Sequence, residues 1–91
     1  MIDVRAPFTG EVISTLAEHQ RDDVQAIFAR ARDAQLSWDR TDIRVRSRII
    51  LRFHDLVAMQ REELLDLLQL EAGKSRRDAM EEVLDVLINA R

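Results

Sequence analysis

The sequence predicts a mainly α-helical chain with an N-terminal β-hairpin. Three observations carry that prediction. From about residue 21 onward the apolar residues recur at helical spacing, whereas residues 2–16 form two short runs of strand-favouring residues. The single Pro and both Gly, at positions 7, 10 and 73, stand where one element gives way to the next. No Gly or Pro interrupts the long stretch between Gly10 and Gly73, so nothing there breaks a helix by backbone chemistry.

In the first segment Val4, Val12, Ile13, Thr15 and Leu16 favour extended structure. Pro7-Phe8-Thr9-Gly10 sits between the two runs. Pro7 cannot donate a ladder hydrogen bond and Gly10 takes positive φ at little cost, which places a hairpin over 2–16 turning near 7–10. Two strands alone are marginal in water, so the hairpin must pack on something.

A helix is expected over 21–38. Val24, Ile27, Phe28, Ala31, Ala34, Gln35 and Trp38 share one face, and Asp22 and Asp23 lie in the first turn, where the helix dipole favours negative charge. The polar run Asp39-Arg40-Thr41-Asp42 then offers Thr41 or Asp42 as the next N-cap. Residues 42–72 read as a helix pair or one kinked helix. Ile49, Ile50, Phe53, Leu56 and Val57 make one stripe, and Leu64, Leu65, Leu67, Leu68 and Leu70 make another, with Met59-Gln60-Arg61-Glu62 between them. Gly73 stands where a left-handed residue ends a helix. Ser75 with Asp78 resembles a capping box opening a last helix over 75–91, with Ala79, Met80, Val83, Leu84, Leu87 and Ile88 on one side. That pattern reaches Arg91 without a stop signal, so the chain is expected to be cut from something longer.

Size sets the next constraint. A chain of 91 residues makes one small domain at most, or part of one. Ordering a residue costs about 1–2 kcal/mol of backbone entropy and burying a Leu, Ile or Phe contributes about 1.5–3 kcal/mol, so at this length the terms nearly cancel. Help from further chain, or self-association through apolar helix faces, is therefore expected. The net charge is only −3, with acidic and basic residues interleaved, which gives no sign of a nucleic-acid partner. There is no basic and then apolar leader at the start and no membrane-length apolar run, so a soluble, cytoplasmic protein is expected.

Chemistry is conspicuous by exclusion. With no Cys there is no thiol nucleophile, thiolate metal site or disulfide. Gly73-Lys74-Ser75 ends like a phosphate-binding loop, but the Gly needed five residues earlier is Leu68. His19 and His54 have no metal-ligand spacing. Asp22-Asp23, Glu62-Glu63 and Glu81-Glu82 are adjacent pairs, and neighbouring helical residues point about 100° apart, so none forms a catalytic dyad. Arg44, Arg48 and Arg52 share a face and are expected to pair with nearby acids or a neighbouring domain. Glu71, just before the Gly73 turn, is placed to bond backbone groups there. No residue is assigned a catalytic, cofactor-binding or metal-binding role.

Taken in order, the segments resemble one family. Ala6-Pro7-Phe8-Thr9-Gly10-Glu11-Val12-Ile13 is similar to the N-P-x-T-G-E-x-I opening of the aldehyde dehydrogenase superfamily, with Ala6 where Asn is usual. The Asp23-Val24 helix with Ala31, Ala34 and Trp38 follows, then the Arg-rich helix with Ile50-Leu51. Glu63-Leu64-Leu65-Asp66-Leu67-Leu68 leads to Glu71-Ala72-Gly73-Lys74, similar to the family's E-T-G-K, and Ala79 and Glu82 fit the helix after it. The Glu-Ala-Gly-Lys form with Leu67-Leu68-Gln69 before it most resembles bacterial succinate-semialdehyde dehydrogenases.

The resemblance implies a parent enzyme several times longer, in which this stretch is part of an α/β, Rossmann-like NAD(P)-binding domain. It implies a Cys nucleophile, a Glu general base and an NAD or NADP cofactor, all supplied by later residues. This chain alone is then expected to be non-catalytic, binding no cofactor, with the remainder of the parent enzyme as its partner. A small autonomous helical interaction module is the alternative.

Overall fold

The computed structural model describes residues 1–91. It contains a two-stranded antiparallel sheet followed by four helices. Strand β1 (Ile2–Arg5) pairs with β2 (Val12–Leu16) in the register Ile2 to Leu16, Asp3 to Thr15 and Val4 to Ser14. An irregularity between Val4 and Arg5 then shifts Arg5 opposite Val12. The turn closes with two backbone bonds, Ala6 N–H to Glu11 O at 2.9 Å and Gly10 N–H to Ala6 O at 2.8 Å. Gly10 adopts φ 75°, the left-handed conformation that lets the chain reverse here. Arg5 fastens the turn from outside, donating to Gly10 O at 3.0 Å while pairing with Asp3 at 2.8 Å.

Helix α1 (Arg21–Arg40) opens with Gln20 N–H donating to Asp23 Oδ2 at 2.9 Å. The helix expected over 21–38 extends two residues further, because Thr41 closes it twice. Its N–H donates to Trp38 O at 3.0 Å and its hydroxyl to Ser37 O at 2.9 Å. No residue of α1 is buried.

Helix α2 (Ile43–Met59) starts at Asp42, whose Oδ1 accepts from Arg44 N–H at 2.8 Å. Gln60 both ends α2 and begins α3 (Arg61–Ala72), so the long apolar stretch is two helices meeting at one residue. Its N–H donates to Leu56 O, and its carbonyl accepts from Leu64 N–H, each at 3.0 Å. Gly73 ends α3 at φ 65°, with its N–H on Gln69 O at 3.0 Å. Helix α4 (Arg76–Asn89) begins at Ser75, whose hydroxyl accepts from Asp78 N–H at 3.1 Å. The last helix stops short of the expected 91, because Ala90 takes a non-helical ψ of 11°.

The core lies where α2, α3 and α4 meet. Leu65, Ala79 and Val83 are buried there, with Val57, Leu64, Leu68, Met80 and Leu87 packed around them. The small side chain at Ala79 allows α4 to close on α3 so that Leu65 loses all contact with solvent. The Leu-rich stripe of α3 is thus partly covered by α4. Leu67 and Leu70 remain 45% and 47% exposed on the far side.

The packing stops there. Only 5 of the 91 residues are buried. The radius of gyration is 17.2 Å, against about 12 Å for a compact domain of this length. The accessible surface is 7685 Å², against about 5,500 Å² for a folded monomer of this mass. Phe28, Leu36, Ile43, Ile49, Ile50 and Phe53 of α1 and α2 all face solvent. The chain is an open assembly, 15 Å thick in its shortest dimension.

Candidate functional site

The hairpin meets the α3–α4 junction at Gly73. At φ 65° Gly73 turns its hydrogen-only face toward the hairpin, where a Cβ would lie 2.8 Å from Pro7 Cγ and 3.2 Å from Phe8 Cε2. The junction is held on its other sides by polar contacts. Gln69 Nε2 donates to Lys74 O at 3.4 Å, and the Lys74 ammonium pairs with Glu82 on α4. Arg76, in the first turn of α4, reaches back to three residues of α3. It pairs with Glu62 and Asp66 and donates to Gln69 Oε1 at 3.1 Å. The hydrogen bond that Arg76 donates to Asp66 is the main cause of a guanidinium pKa raised above the usual Arg value, with Glu62 adding to it against a partial desolvation.

Glu71 does not bond the turn backbone; it is exposed and its carboxylate has no hydrogen-bond or ion-pair partner. Gln69 takes that position instead, because it lies one helical turn before Gly73 and faces the junction. The adjacent carboxylates part company: Glu82 goes to Lys74, Glu81 lies 3.9 Å from Arg77, and Asp23 caps α1. His19 lies in the exposed connection before α1, while His54 Nδ1 sits 3.2 Å from Asp55 Oδ1 on α2. No three His, Cys, Asp or Glu side chains come together at metal-binding distance. In the Arg cluster only Arg44 finds an acid, Asp42 at 3.6 Å, while Arg48 Nε donates to Arg44 O at 3.4 Å.

Two features escaped the sequence reading although both left a trace in it. Glu62, Asp66 and Gln69 are spaced i, i+4, i+7, which puts three acceptors on one face of α3 for Arg76. Arg46 falls at helical spacing between Ile43 and Ile50, an Arg within an apolar stripe, and its Nε is buried with no hydrogen-bond partner.

The Gly73-Lys74-Ser75 junction offers no open phosphate cradle. Phosphate binding at a Gly-rich loop needs backbone N–H groups open to the ligand. Here the open face of Gly73 is filled by Pro7 and Phe8, the Ser75 hydroxyl is engaged by Asp78 N–H, and the Lys74 ammonium is held by Glu82. The junction is a structural clasp.

Such a chain, with two motifs clasped together and most of its apolar surface open, is a structural segment of a larger fold. The chain belongs to the aldehyde dehydrogenase family, whose model matches residues 1–91. It is 47% identical over 83 residues to a Mycobacterium ulcerans protein named "Putative succinate-semialdehyde dehydrogenase (NADP(+)) 2", covering 91% of this chain and 16% of the relative. A similarly named Mycolicibacterium smegmatis protein is 44% identical over 84 residues, covering 92% of this chain and 16% of the relative. The D-glyceraldehyde dehydrogenase (NADP(+)) of Picrophilus torridus is 37% identical over 81 residues, covering 89% and 16%. The chain therefore spans about a sixth of the length of these relatives. No solved structure matches it. No helix is long and apolar enough to cross a membrane.

Proposed function

We propose that this chain is the N-terminal structural segment of an NADP-dependent succinate-semialdehyde dehydrogenase. The parent oxidises the aldehyde carbon to a carboxylate, taking the new oxygen from water and passing a hydride to NADP. The segment contributes the clasp and the helices that pack on the rest of the enzyme. Catalytic and cofactor-binding groups belong to residues outside this stretch, within an α/β, Rossmann-like domain. The absence of Cys fits the reducing cytoplasm, where we place the protein.

The observation that carries this reading is the match of all 91 residues to the family together with the burial of only 5 of them. The substrate and cofactor rest on the names of the two mycobacterial relatives. The test is a family-length chimera, in which this chain replaces the matching 83-residue stretch of the Mycobacterium ulcerans relative. Because the catalytic and cofactor-binding groups come from the relative, the chimera reads whether this chain completes that enzyme, and it is expected to fold and to reduce NADP with succinate semialdehyde at a rate close to the relative's own. A chimera that does not fold, or that folds without this activity, contradicts the reading.

A further inference from the structure

Helices α2 and α4 each carry a charged row on the side turned away from their shared core. On α2, Arg44, Arg48 and Arg52 follow one another at four-residue spacing, a row about 12 Å long opposite the packed side chain of Val57. Arg44 has Asp42 at 3.6 Å, while Arg48 and Arg52 have no acid. Like charges one turn apart weaken a helix, so the row is a local cost that an acidic neighbour would remove. Ile49 and Leu56 lie exposed along one edge of it. On α4, Asp78, Glu81 and Asp85 form a row about 11 Å long opposite the buried Val83. Glu81 has only Arg77, at 3.9 Å, and Asp85 only the Asn89 amide, at 3.1 Å. Leu84 and Ile88 lie exposed along the edge of this row.

We propose that the outer face of α2 docks the outer face of α4 on a second copy of this chain. Charge complementarity chooses this occupant, since three guanidinium groups meet three carboxylates over rows of nearly equal length. The edges match as well. With the two helices side by side and running in the same direction, Arg44 meets Asp78, Arg48 meets Glu81 and Arg52 meets Asp85. In that setting Ile49 comes against Leu84 and Leu56 against Ile88. In the opposite direction the apolar edges fall on opposite sides, so the pairing has one orientation. Within one copy both faces point away from the same core, so they cannot close on each other. Docking is therefore head to tail and leaves one α2 face and one α4 face open at its ends.

The proposal concerns the 91-residue chain and stands apart from the substrate and cofactor proposed above. Sedimentation of the chain over a range of concentrations tests it. Its average mass is expected to grow with concentration in about 0.01 M salt, and the association constant to fall at least about tenfold in about 1 M salt. General repulsion between copies of net charge −3 has the opposite sign, because salt relieves it. Arg48→Glu and Glu81→Arg are each expected to abolish the growth, and an equal mixture of the two to restore it, because each variant then meets its complement. Both positions are exposed, so circular dichroism should show the helices intact in either variant. A mass independent of concentration at low salt overturns the proposal. Growth that ignores both charge reversals assigns the association to the apolar faces of α1 and overturns it equally. Variants that each stop the growth but stay monomeric when mixed also overturn the pairing of Arg48 with Glu81.

Discussion

Gly73 lies against the Pro7 ring so closely that a methyl group on its Cα would stand 2.8 Å from Pro7 Cγ, inside any real carbon–carbon contact. The contact joins the hairpin turn to the end of α3. These are the two segments whose sequences, Ala6 to Ile13 and Glu71 to Lys74, most resemble the family pattern. The separation of those motifs along the chain disappears in the fold.

Gly73→Ala should therefore destabilise the chain on two counts. The left-handed conformation costs a non-Gly residue about 1–2 kcal/mol, and the forced displacement of Pro7 and Phe8 adds about 1–3 kcal/mol. Gly10→Ala is the control. Its φ of 75° carries the same backbone penalty, but no atom lies within 4 Å of the new methyl. Urea unfolding followed by circular dichroism should rank Gly73→Ala as the worse by at least about 1 kcal/mol. Equal losses would mean that the hairpin does not rest on Gly73.

Leu65→Ala should cost about 2–4 kcal/mol, because Leu65 is fully buried against Ala79 and Val83 and its removal leaves a cavity. Leu67→Ala, two residues away and 45% exposed, should cost under about 1 kcal/mol. The comparison tests which side of α3 is packed within this chain.

Much of this was legible in the sequence. Helical spacing and Gly73 placed the helix near 21–38, a helical stretch over 42–72 left open between a pair and one kinked helix, and the last helix, while Pro7 and Gly10 placed the hairpin. What escaped was decided by single side chains. Thr41 extends α1 beyond Trp38 through its bonds to Trp38 and Ser37, which no apolar period records. Gln60 divides the long stretch by serving both helices at once. The expectation for Glu71 failed because the residue facing the junction is Gln69, one turn before Gly73, and the face a residue occupies on a helix matters more than its proximity in sequence. The open arrangement of α1 was not legible either, since an apolar stripe states that a face will be covered and not by what.

Arg76→Ala should lower the melting temperature by a margin that shrinks as salt is raised, since the ion pairs to Glu62 and Asp66 are solvent-exposed and screened. The pH sign follows from the raised guanidinium pKa. A group whose pKa rises on folding contributes stability that is fully present below its unfolded value and is lost as pH climbs through the higher folded value, and for a guanidinium both lie far above neutral. Arg76 itself should therefore introduce no pH dependence between about pH 6 and 9. A change in stability over that range that vanishes in Arg76→Ala would contradict the assignment.

Addition of NADP should leave the melting temperature of the isolated chain unchanged. Ligands stabilise only what they bind, and the Gly73-Lys74-Ser75 junction is closed by Pro7, Phe8, Glu82 and Asp78. A saturable rise with NADP concentration would show a cofactor site within these residues.

The central claim is that this chain carries an apolar core completed by polypeptide outside it. Thermal unfolding of the isolated chain in the presence of a dye that brightens on apolar surface tests that claim most directly. The account predicts bright dye before any heating, from the open faces of α1 and α2, followed by a broad transition. A dark native state, monomeric at all concentrations and unfolding in one sharp step, would contradict it.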